Sequence, residues 1–190
     1  MKKLLTKYTL FLMGLGTLAA FPLLAWLILL LVPSSFEISF KTMFQINKTD
    51  YLLIPIFLSI GICFGLFVIW LTELDYFEKS MSKYRNLLKG YNLTTFYVLF
   101  LSICAGVGEE IFFRGTIQPL IGIWLTAIFF VGIHGYFSIK NKRLNIFALF
   151  LTLFIVLIGW SAKEYSIWLA ISAHFSYDLV LLFYYKQSAN

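Results

Sequence analysis

Two adjacent glutamates and an arginine, Glu109, Glu110 and Arg114, interrupt the otherwise apolar run GVGEEIFFRG (106–115). Both histidines of the chain, His134 and His174, and one aspartate, Asp178, interrupt later apolar runs. A charged group at the centre of a membrane-spanning helix costs about 2.5–3.5 kcal/mol, so such residues pair or face a wet cavity. Spacing sorts the six. Glu110 and Arg114 are four apart, on one helix face, where carboxylate and guanidinium neutralise each other. His174 and Asp178 share that spacing. Phe130 lies four residues before His134 and sets an aromatic wall beside the imidazole. Glu109 is left with no local partner of opposite charge.

These residue types suit water activation. A carboxylate against an apolar wall is a usable general base. A neighbouring histidine can share the activated water and return its proton to a leaving amine. A second histidine, held by a group four residues on, can donate to a developing oxyanion. No serine or cysteine is placed as a nucleophile, since Ser172 and Ser176 flank His174 but sit off its face. Glutamate-activated water attacking an acyl carbon is the chemistry the set supports.

The elements that must position these groups are membrane spans. The 190 residues are 61% hydrophobic and 13% charged, where a soluble domain has about 25% charged. The apolar residues fall in runs approaching the roughly 20 residues a helix needs to span a bilayer. The expectation is an all-α polytopic membrane bundle of about six transmembrane helices, near 8–32, 51–72, 93–121, 123–138, 144–160 and 165–185. It forms a single integral-membrane domain over 1–190, with the motif-bearing core at about 93–185. The first run is too long for a cleaved signal peptide. Placing both termini inside puts eleven basic residues on the cytoplasmic side and three outside, with Arg114 within a span. This bias predicts N-in and C-in topology. The second loop spaces Leu74, Phe77, Met81, Tyr84 and Leu88 by three and four, as an interfacial amphipathic helix or a solvated extension of span two would. The basic residues lie in groups beside spans, which argues against nucleic-acid binding. Cys63 and Cys104 lie in apolar runs and read as packing residues.

Depth brings the polar groups together. Gly122 supplies the reversal between spans three and four. Glu110 lies twelve residues before it and His134 twelve after, both roughly 18 Å from the turn. His174 lies roughly 15 Å into span six from the same side. One polar site results, displaced toward the cytoplasmic half.

The segments EEIFFR (109–114), FVGIH (130–134) and HFSYD (174–178) match the motifs EExxxR, FxxxH and HxxxN/D in order and approximate spacing. In these the sequence resembles the CPBP intramembrane glutamic endopeptidases, which include the CAAX prenyl proteases and the bacteriocin-processing or immunity (Abi) proteins. The resemblance covers about residues 95–182. It implies Glu109 as the base activating water with His134 assisting, and Glu110 as the second glutamate, held by Arg114. His174 and Asp178 take the positions of the oxyanion-stabilising pair. Asp178 departs from the asparagine of well-studied CAAX enzymes, so it must be protonated or orient His174 from behind. The implied partners are the bilayer and a peptide or lipidated-peptide substrate, with no cofactor and no metal, in a bacterial cytoplasmic membrane. Three other readings are weighed: polar pairs that only staple the bundle, a Zn²⁺ hydrolase using His134, His174 and a glutamate, and a non-enzymatic immunity or scaffold protein.

Overall fold

The computed structural model describes residues 7–32, 44–89 and 93–187. Among them every regular element is a helix. These are α1 (Lys7–Leu31), α2 (Lys48–Glu73), α3 (Asp75–Lys89), α4 (Thr95–Phe112), α5 (Ile123–Ile133), α6 (Lys142–Glu164) and α7 (Ile167–Gln187). Past its last residue α4 widens into a π turn, Phe113–Ile117, and closes with the α-helical turn Gln118–Ile121. Five of these segments are long and apolar enough to cross a membrane: α1, α2, α4 with its extension, α6 and α7. The chain is thus a polytopic helical membrane bundle. Lys2, Lys3 and Lys41, used in the charge count, lie outside the described residues.

The fourth expected span departs from its sequence outline. Instead of a helix reaching residue 138, α5 has 11 residues, about 16 Å of rise against a hydrocarbon core of about 30 Å. Its stop is chemical. Gly135 takes φ 78°, its N–H donates to the Gly132 carbonyl, and the Tyr136 N–H donates to the Val131 carbonyl. This is the paired closure of a Schellman motif, with His134 as the cap residue. The chain then runs on without a helix to the start of α6. There the Ser80 hydroxyl on α3 donates to Asn141 Oδ1 and the Arg143 guanidinium lies 4.6 Å from the Tyr76 ring. The fourth pass is therefore half helix and half irregular chain.

The second loop forms a helix of its own, because α2 ends at Leu74, where the backbone turns extended (φ −67°, ψ 136°). On α3, Phe77 and Met81 are buried; the side chains of Tyr84 and Leu88 lie outside the described residues. Leu74 is exposed and serves as the hinge. Contacts between helix ends fix which ends lie together. Tyr184 on α7 donates to Glu73 at the end of α2, and Lys186 donates to Thr95 at the start of α4. At the opposite end, Trp168 near the start of α7 donates to the Phe44 carbonyl, just ahead of α2.

Helix α4 carries the glutamates and is flanked on two sides at very short range. A Cβ added at Gly108 would sit 2.6 Å from the Thr17 carbonyl oxygen of α1, and one added at Gly106 would sit 3.2 Å from the Phe175 backbone of α7. The two glycines of GVGEE thus let α1 and α7 close on α4 beside the glutamates. Gly108→Ala is expected to destabilise the bundle by about 1–3 kcal/mol through overpacking. Gly106→Ala costs less. Thermal melts in detergent followed by size-exclusion chromatography check the order.

Candidate active site

Glu109 and Glu110 are consecutive and so point to different sides of α4, which separates their environments. Glu110 is fully buried. Its Oε2 accepts from Arg114 Nε at 2.8 Å, and its Oε1 lies 2.8 Å from His174 Nδ1. The i, i+4 pairing of Glu110 with Arg114 is the one its spacing predicts, held here across the start of the π turn. The bond from Glu110 to His174 joins α4 to α7 across 64 positions, and local spacing carries no sign of it.

His174 is bracketed. Its Nδ1 faces Glu110, and its Nε2 faces Asp178 Oδ2 at 3.6 Å. Glu110 Oε1 can only accept, so Nδ1 carries a proton, and charge balance within the buried group favours a second proton on Nε2. Glu110, Arg114, His174 and Asp178 then form a neutral quartet, which suits burial. This corrects one expectation. Asp178 does not hold His174 from behind; Glu110 does, and Asp178 lies on the cavity side. At 3.6 Å the Asp178 contact is too long for a hydrogen bond, so Nε2–H stays available to another acceptor.

Glu109 lies on the other side of this group. Its Oε2 is 3.6 Å from His134 Nε2, and that oxygen is buried with no hydrogen-bond partner. His134 caps α5, so its ring is placed by the Schellman stop. Its Nδ1 lies 2.7 Å from the Phe130 carbonyl oxygen. Since a carbonyl can only accept, Nδ1 carries the proton and the neutral ring presents a lone pair at Nε2. The ring also stacks on Phe130, with centroids 4.4 Å apart and planes at 24°. Phe130 meets His174 edge-on at 5.7 Å as well, and so spaces the two imidazoles.

A cavity of about 360 Å³ opens onto four of the six charged groups, Glu109, His134, His174 and Asp178; Glu110 and Arg114 do not line it. The other walls are largely apolar. Met13 and Thr17 of α1 and Tyr177 of α7 contribute at the level of the polar groups, and Leu93 and Leu182 carry the cavity toward the end of the bundle where α4 begins. Sequence reasoning missed α1 as a wall, because that helix carries no ionisable group in its apolar stretch. Among the described residues no three His, Cys, Asp or Glu side chains are grouped to hold a metal ion. His134 and His174, the histidines of a possible zinc set, are turned to different carboxylates.

Residues 91–180 match the family described as Rce1-like, type II CAAX prenyl endopeptidase Rce1-like. The matched stretch contains all six charged groups and Phe130. No curated protein and no solved structure matches the chain.

Proposed function

Since the chain belongs to the CPBP family of intramembrane proteases, on its match to the type II CAAX prenyl endopeptidases, we propose that it hydrolyses a peptide bond within the membrane with water activated by Glu109. One observation carries the reading. Of two neighbouring glutamates, Glu110 is sealed behind the cavity by Arg114 and His174, while Glu109 lines the cavity with an unpartnered oxygen facing the free nitrogen of His134.

In this reaction Glu109 takes a proton from water as the water oxygen bonds to the scissile carbonyl carbon. The carbonyl π electrons move to oxygen, and the resulting oxyanion accepts from His174 Nε2–H, displacing the long contact to Asp178. The proton on Glu109, passed directly or through His134 Nε2, goes to the leaving nitrogen as the C–N bond breaks. An acid and an amine result. Glu110 and Arg114 touch no reacting atom; they fix the His174 ring. Asp178 balances the His174 charge in the resting site, and because it borders the oxyanion position it must take up a proton or turn away as the oxyanion forms. Asp178→Asn is therefore expected to keep turnover within about tenfold of wild type, and Asp178→Leu to lose more, since the asparagine side chain still borders Nε2. Steady-state cleavage of a peptide with a prenylated CAAX end checks the pair.

The mechanism requires no metal, so cleavage is expected to survive exhaustive chelation. Loss on chelation and recovery with Zn²⁺ would instead favour the zinc reading. Within a bacterial cytoplasmic membrane, the end of the bundle holding α3, the start of α4 and the start of α6 faces the cytoplasm, because the basic residues gather there. The cavity extends toward that side. The test is substrate trapping: Glu109→Gln protein in native membranes should retain an uncleaved peptide that the wild type releases as fragments. The second reading, a non-enzymatic immunity or scaffold protein, predicts protection against a bacteriocin that survives the Glu109→Ala/His134→Ala double substitution. A role in bacteriocin processing or immunity through cleavage predicts its loss.

A further inference from the structure

Arg114 is held to Glu110 through Nε alone; its Nη1 and Nη2 are buried without a hydrogen-bond partner. A guanidinium with two bare terminal nitrogens is costly in a protein interior, and the surroundings name the group that answers it. Gln118, one turn beyond Arg114 at the end of the π turn, is buried and points to α6, a helix that contributes no charged group to the site. Its Nε2 donates to the Gly159 carbonyl at 2.8 Å. That bond fixes which way the amide faces, because an amide oxygen cannot sit against a carbonyl oxygen. Gln118 Oε1 must therefore point away from the carbonyl, and it too is buried without a partner.

Gly159 shows where that oxygen and the guanidinium meet. A Cβ added there would lie 2.6 Å from Gln118 Oε1 and 3.5 Å from Arg114 Nη1. An unpaired acceptor and an unpaired donor thus crowd the one spot on α6 that has no side chain. Any larger residue at 159 would push them from it.

We propose that Gln118 is a positioning residue of the catalytic site: anchored on the Gly159 carbonyl, its amide oxygen sets the Arg114 guanidinium, which through Glu110 sets the ring of His174. The chain of contacts runs from the α6 backbone to the cavity wall, and each link has one orientation. The Gly159 carbonyl takes the amide N–H. The amide oxygen and the guanidinium, which share no direct hydrogen bond in the structure, face each other beside Gly159 as unpaired acceptor and donor. Glu110 takes Arg114 Nε–H and His174 Nδ1–H, and His174 Nε2–H is left aimed at the cavity. Gln118 touches no substrate. The catalytic arm of the test rests on the role given to His174 above, and the spectroscopic arm does not.

The chain has only two histidines, so the full-length protein labelled with ¹⁵N-histidine gives imidazole signals from His134 and His174 alone. Gln118→Leu is expected to move the His174 nitrogen resonances and leave those of His134 in place. Gly159→Ala, with Gln118 intact, is expected to do the same by displacing the amide. Against a peptide with a prenylated CAAX end, both variants should lose about 10- to 100-fold in kcat, as when outer-shell partners of a functional histidine are removed, with KM within about twofold. A His174 shift in a preparation whose wild type cleaves nothing still supports the positioning chain, and counts only against the protease reading. The proposal is overturned if both resonances and kcat stay as in wild type. It is equally overturned if both histidines shift or broaden together, because Gln118 then holds the fold and not the ring.

Discussion

Glu109→Gln is expected to reach the membrane at wild-type level, melt within a few degrees of wild type and lose at least about 10³-fold in turnover. The size of the loss follows from what glutamine lacks. Positioned general-base catalysis contributes about 10²–10⁴-fold, and a neutral amide can hold the water but not take its proton. The retained fold follows from the packing, since Glu109 makes no short ion pair. The His134 nitrogen it faces lies at 3.6 Å, and glutamine has the same shape. An amide N–H could even donate to the Nε2 lone pair, so a small gain in melting temperature is in keeping with the geometry. Glu110→Gln separates the neighbours: the amide keeps one acceptor for the two donors that Glu110 holds at 2.8 Å and removes the charge, so it should cost stability as well as activity. Cleavage by the Glu109→Gln protein at wild-type rate, in the same preparation as the thermal melt, would overturn the assignment of the base.

Arg114→Met gives the largest expected loss of stability. Methionine nearly matches the length of the side chain and removes only charge and donors. The Glu110 carboxylate, fully buried, then keeps His174 as its one partner, and the quartet carries a net negative charge. Removing one member of a buried ion pair typically costs about 3–5 kcal/mol because the remaining charge stays desolvated. Against total stabilities of about 5–15 kcal/mol, the variant should unfold at markedly lower temperature, or accumulate poorly. Arg114→Met/Glu110→Leu removes both charges and is expected to recover much of the stability and none of the turnover. That contrast, read by thermal melts and cleavage on the same samples, separates charge balance from catalysis. If Arg114→Met alone melts as wild type does, the pair carries no stabilising role.

The outline of the fold was legible because membrane spans announce themselves by apolar length. The reversal at Gly122 could be read from one residue, and its backbone does take φ 83°. The pairing of Glu110 with Arg114 was legible because it needs only helical geometry. Two features were not. The hydrophobic run does not end with α5 but continues through Phe137 and Ile139, so hydropathy hid the stop that His134–Gly135 spells out in cap chemistry. The partner of Glu110 on α7 was hidden for another reason. Two glutamates one residue apart and two histidines on other helices can be matched in two ways, and only the rotation of α4 against α7 decides between them. That rotation depends on the close approach at Gly106 and Gly108, a matter of neighbouring surfaces that one segment does not encode. Gln118 did leave a trace, as a polar residue four positions beyond Arg114 in an apolar stretch. Its meaning depends on Gly159, in a helix free of motifs.

The early stop of α5 bears on how the enzyme comes into being in the cell. A helix of 11 residues is too short to cross the bilayer unaided, and the unhelical chain after it holds backbone groups that lipid cannot satisfy. Both need α6 packed against them before they can settle. His134 therefore comes to rest beside Glu109 only once α6 has packed on α5, and His174 arrives on the final helix itself. The half-made polypeptide leaving the ribosome carries Glu109, the base of the proposed mechanism, with neither imidazole in place. On the proposed mechanism, activity is a late event of biogenesis, and the surrounding membrane proteins are spared a protease that works before it is finished.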